Sequence, residues 1–63
     1  MNVTLTNLLA DHGSIVVFEG VDPKGRAVSV SVDHRPAQDI ADILFADGEL
    51  DVDCESWQVG YLG

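Results

Sequence analysis

The sequence predicts an α+β fold: a small three-stranded antiparallel sheet packed against one helix in the order β-β-α-β, with a short N-terminal segment that is helical or extended. Three observations carry this. Val28, Val30 and Val32 alternate with Ser29, Ser31 and Asp33, as in a strand with one face buried. Asp22-Pro23-Lys24-Gly25 reads as a type I turn, with Asp first, Pro presetting φ at the second position and Gly supplying a positive φ at the end. Pro36 and Gly48 frame a segment whose apolar residues recur at helical spacing.

Taken in order, Thr4 to Gly13 fits a short helix with Thr4 or Thr6 as N-cap, Leu5, Leu8 and Leu9 on one face and Gly13 as its stop. A strand through Val3 and Leu5 is the alternative. Ser14 to Val21 is rich in β-branched and aromatic residues and predicts a well-covered strand, which the Asp22–Gly25 turn joins to the strand over Arg26 to Asp33 as a hairpin. In the helix expected over Pro36 to Asp47, residues Ala37, Ile40, Ala41, Ile43 and Leu44 share an arc of about 160° that faces the core. Asp39 and Asp42 point away from it, and Phe45 lies at its rim. Asp47 stands at the negative end of the helix dipole, where a cation is usually preferred. From Glu49 to Glu55 the alternation returns, with Leu50, Val52 and Cys54 inward. Trp57, Val59 and Tyr61 continue it on the opposite parity, so a β-bulge near Glu55-Ser56 is expected to keep both sets inward.

With 63 residues the chain is one domain over 1–63, of a size that buries only about 60% of its unfolded surface. The single Cys54 allows no intramolecular disulfide, and the first residues lack the charged start and apolar core of a signal peptide, so a cytoplasmic location is expected. No apolar run approaches a membrane span, and Asn2-Val3-Thr4 is a sequon by chance in such a setting. Disorder, the competing reading of high charge, is opposed by an apolar content of 46% with regular periodicity.

Charge narrows the function. Eleven acidic residues against three basic ones give −8, which argues against direct contact with nucleic acid or an anionic membrane and favours a basic partner. Lys24, Arg26 and Arg35 all precede Pro36, whereas Asp39 to Glu55 holds seven carboxylates: Asp39, Asp42, Asp47, Glu49, Asp51, Asp53 and Glu55. On one strand face, the last four would repeat every 6.6 to 7 Å or so, commensurate with phosphates rising about 3.4 Å per nucleotide along a DNA strand. Such a row suits a groove built for a nucleic-acid backbone. Its plainer reading is a solvated face that keeps a small domain soluble and discourages edge pairing.

Other constellations point to less. Asp11-His12 and Asp33-His34 form a metal or acid–base site only if their loops meet, and are otherwise surface or turn histidines. Cys54, flanked by Asp53 and Glu55, is a small buried hydrophobe rather than an activated nucleophile. The glycines are scattered singly and form no phosphate loop. No cofactor and no catalysis are expected. Trp57 and Tyr61 are core residues unless they anchor an interface.

In size, in charge and in the alternating D-V-D-C-E segment, the chain resembles the small phage-encoded anti-CRISPR inhibitors that act as DNA mimics. That resemblance implies a non-enzymatic inhibitor in the host cytoplasm, bound to the positively charged DNA-recognition surface of a CRISPR effector complex. The residues themselves point to a basic nucleic-acid-binding protein or complex as partner, met through the seven carboxylates with Phe45 or Trp57 as apolar anchors. The alternative is a small protein–protein interaction or assembly module, a monomer or weak homodimer, whose acids serve solubility.

Overall fold

The computed structural model describes residues 1–62. Its elements are β1 (Asn2–Asp11), β2 (Ile15–Val21), β3 (Ala27–Asp33), α1 (His34–Asp47), β4 (Leu50–Asp53) and β5 (Gln58–Tyr61). The fold is α+β with one helix, as expected. The sheet, however, has five strands in the order β4-β1-β2-β3-β5, every neighbouring pair antiparallel.

The hairpin is where the sequence placed it. β2 and β3 pair in unbroken register from Ile15↔Asp33 to Val21↔Ala27. In its turn the Gly25 N–H donates to the Asp22 carbonyl at 2.9 Å, and Gly25 has φ +82°. The Asp22 side chain is almost wholly covered. Its Oδ1 accepts from the backbone N–H groups of Arg26 (2.8 Å) and Lys24 (3.0 Å), and its Oδ2 from Arg26 Nε (2.8 Å). The bond from the Arg26 backbone is the largest influence on this carboxyl and holds it below the ordinary aspartate range against the opposing effect of burial. A lowered folded-state pKa contributes stability above the unfolded value of about 3.9 that is lost as pH falls through the folded one. Asp22→Asn should therefore flatten the acid limb: between pH 7 and pH 3 its urea midpoint should fall less than that of the wild type, and equal falls would remove Asp22 as a source of acid sensitivity.

The N-terminal segment is a ten-residue strand, so the helical expectation for Thr4–Gly13 is corrected in favour of the extended one. The reason lies in two register shifts against β2, between Leu5 and Asn7 and between Leu8 and Ala10. A bulge adds one residue to the strand and so turns an alternating pattern into a three-residue step. Leu5 and Leu8 thus both contact the core at a spacing that also fits a helix, while Leu9 is exposed.

The single bulged strand expected through Glu55-Ser56 is also corrected. The segment is split: β4 pairs with β1 from Asn2↔Asp53 to Leu5↔Leu50, and β5 pairs with β3 from Val28↔Tyr61 to Ser31↔Gln58. β4 and β5 run in the same direction on opposite edges, joined only by Cys54–Trp57. In a flat sheet four gaps of about 4.8 Å would separate them by about 19 Å. The five residue steps from Asp53 to Gln58 span at most about 18 Å even when fully extended. The sheet must therefore curl, and the two bulges in β1 supply extra twist.

The helix lies in the concavity and packs against β1, β2, β3 and β4. It begins at His34, two residues before the expected start, which Pro36 allows because the N–H groups of the first turn have no partner within the helix. It ends at Gly48, whose φ is +85° and whose N–H donates to the Leu44 carbonyl at 2.7 Å. Ala37, Ile40 and Leu44 are buried and Ala41 partly so, against Val3, Leu5, Val16, Phe18, Val28, Val30, Val32 and Cys54. Ile43, expected in the core arc, is 44% exposed. It stands about 110° from the centre of the buried stripe at 100° per residue, beyond what the curled sheet covers.

Candidate functional site

The carboxylates separate into two groups because β4 and α1 bury opposite sides of the chain. In β4, Leu50 and Val52 are half-buried against the core while Asp51 and Asp53 alternate with them and are exposed. Asp51 pairs with Thr4, whose neighbours Val3 and Leu5 are buried, so Asp51 lies on the convex face of the sheet, away from the helix. Asp39 and Asp42 are exposed on the far side of α1. The helix and strand acids therefore point to opposite sides of the two layers, which corrects the idea of one continuous row. The expected ladder of four also shortens. Asp51 and Asp53 lie within β4, whereas Glu49 precedes it and Glu55 belongs to the turn that follows.

What remains close together in the chain is a run at and beside the β4 edge: Asp47 at the end of α1, Glu49, Asp51, Asp53 and Glu55, all exposed. Two of these are held in place. Thr4 Oγ1 donates to Asp51 Oδ1 at 2.5 Å. Asp53 Oδ1 accepts from the Glu55 backbone N–H at 3.1 Å and lies 3.6 Å from the Met1 ammonium. Each retains a second carboxylate oxygen for a partner. Of the expected apolar anchors, Phe45 is 71% exposed on the flank of α1, whereas Trp57 is half-buried against the core in the turn before β5.

The two Asp-His loops do meet at one end of the sheet, through Ile15↔Asp33 and a bond from the His34 N–H to the Ser14 carbonyl at 3.0 Å. Their side chains do not combine. The Asp11 carboxylate accepts the Gly13 N–H at 2.8 Å, and the His34 ring pairs with Gln38 at 2.9 Å. Among the described residues no group of three or more His, Cys, Asp or Glu side chains is placed to hold a metal ion. Cys54 is buried, and burial pushes its thiol up, with Asp53 adding to the effect and the N-terminal ammonium opposing it. Such a thiol is a poor nucleophile at neutral pH.

Sequence reasoning passed over a groove of about 270 Å³ where β3 ends and β5 begins, lined by Ile15, Ser31, Asp33, Ser56, Trp57 and Gln58 among others. No family model, curated protein or solved structure matches the chain. Among the described residues no helix is long and apolar enough to cross a membrane.

Proposed function

We propose that the protein is a non-enzymatic inhibitor that docks its acidic β4 rim on the basic, nucleic-acid-binding surface of a partner, such as a CRISPR effector complex, and so blocks access of nucleic acid. The observation that carries this reading is the rim itself. Asp47, Glu49, Asp51, Asp53 and Glu55 are exposed within nine residues of chain, and no Lys or Arg follows Arg35 to neutralise them. Like charges so close raise the energy of the free edge, and a cationic surface relieves it. Asp39 and Asp42, on the other side of the molecule, add long-range attraction rather than contact.

The test is binding to candidate nucleic-acid-binding complexes at low and raised salt, with DNA as competitor. Changing Asp51, Asp53 and Glu55 together to Lys moves the net charge from −8 to −2, three changes of +2 each. The variant should bind at least ~100-fold more weakly at low salt, and wild-type affinity should fall steeply with salt and with added DNA. Unchanged affinity of the variant would sink the reading.

A second reading, a homodimeric assembly module, is favoured by the opposite edge. The side of β5 away from β3 faces no other element among the described residues, and Gln58–Tyr61 carries no charge to guard it. Exposed Tyr61, Leu62 and Val21 lie at that end of the sheet. Light scattering separates the two: a stable dimer that survives charge reversal of the rim supports assembly through β5.

A further inference from the structure

The molecule already contains one arginine held between a carboxylate and an aromatic ring. The Arg26 guanidinium bonds Asp22 through Nε at 2.8 Å, donates from Nη2 to the Tyr61 hydroxyl at 3.0 Å and lies 4.5 Å from the centre of the Tyr61 ring. The groove between β3 and β5 offers the same pair of groups without a cation. Asp33 and Trp57 both line it, with Ser31, Ser56 and Gln58 as further polar neighbours and Ile15 as an apolar wall. Asp33 occupies the N-cap position of α1, yet its side chain makes no capping bond, and among the described residues its carboxylate has no hydrogen-bond or ion-pair partner.

We propose that this groove binds an arginine side chain presented by a basic protein partner, with the guanidinium bonded to Asp33 and stacked on Trp57. The choice of occupant rests on charge complementarity and so on the reading of the partner given above. The groove is lined by a carboxylate and an indole, and neither Lys24, Arg26 nor Arg35 lines it. Arginine fits these groups better than lysine. Its planar fork meets a carboxylate with two bonds and its weakly hydrated face stacks on an indole, whereas an ammonium stays strongly hydrated. The partial positive charge at the start of α1 opposes a cation here, so the carboxylate of Asp33 is required for the preference.

Trp57 is the only tryptophan and lines the groove, so its fluorescence reports on binding there. The probe is a blocked Gly-Arg-Gly peptide, titrated at fixed ionic strength beside its citrulline and lysine counterparts. A saturable shift is expected with arginine, at least tenfold weaker binding with citrulline, which has the shape without the charge, and weaker binding with lysine. Asp33→Asn keeps an N-cap residue of equal rank and should fold normally, which circular dichroism checks, while it erases the preference for arginine over citrulline. Glu19→Gln, which removes the same charge elsewhere, should leave arginine affinity within about twofold. Equal binding of arginine and citrulline, equal binding of arginine and lysine, or equal losses in the two variants would each overturn the assignment. The citrulline comparison needs no variant. Failure in the groove with salt-sensitive partner binding intact leaves the acidic-rim reading standing, and the reverse result leaves the groove without the rim.

Discussion

Phe18→Ala is expected to abolish the fold. Phe18 is the largest of the fully buried side chains, stands in the middle of the central strand β2 and has no exposed surface. Its neighbours across the sheet are Val30, in the core cluster, and Leu8, half-buried against it. Truncating a buried phenylalanine costs about 3 to 5 kcal/mol, from the lost transfer free energy and the cavity left behind. At roughly 0.05 to 0.15 kcal/mol per residue, a domain of this length has a total stability of about 3 to 9 kcal/mol. The variant should thus be largely unfolded at 37 °C, with lost amide dispersion in NMR spectra. A two-state urea transition within about 1 kcal/mol of wild type would show that the core packs differently.

Gly20→Ala is expected to be nearly as damaging, although it adds one methyl group. Where β1 crosses β2, a Cβ at Gly20 would stand 2.5 Å from the Thr4 carbonyl oxygen and 2.8 Å from Val3 Cγ1. The nearer obstacle is backbone and cannot rotate away, so the strands must part at a point that the core and the β1–β4 pairing both depend on. Overpacking of this kind costs about 1 to 3 kcal/mol or more. Gly60→Ala is the control. There the nearest atom is the Ser29 hydroxyl at 3.4 Å, and the loss of chain entropy in the unfolded state makes the change neutral or mildly stabilising. Thermal melts of the pair should show a clear drop for the first and none for the second; similar melts would argue against the close approach of β1.

These two residues also show what the sequence could and could not reveal. The hairpin was legible because its information is local: Asp22, Pro23 and Gly25 set the turn, and Val28, Val30 and Val32 set the buried face. The helix was legible for the same reason, bracketed by Pro36 and Gly48. β1 was not, because its bulges step Leu5 and Leu8 by three, a spacing that a helix shares. The partition of Leu50–Tyr61 between two edges was not legible either, since choosing a strand's neighbour depends on residues far away in the chain. The acids behaved likewise. Alternation placed Asp51 and Asp53 outward, but only the packing of α1 shows that Asp39 and Asp42 face the other way. The groove was hidden because it draws on three separate stretches, around Ile15, Ser31–Asp33 and Ser56–Gln58.

The split of the last strand also bears on how the molecule comes into being. Thr4 meets Asp51 and Val28 meets Tyr61, so both edges of the sheet wait for strands that emerge after β1, β2 and β3. The β2–β3 hairpin can nucleate on its own turn, but alone it leaves Phe18 and Val30 uncovered. Closing such distant pairs raises the contact order and slows folding to the range of barrel-like β domains, despite the short chain. Because one segment seals both margins, loss of β4 or of β5 should undo the whole sheet, and partial unfolding from either side should be rare.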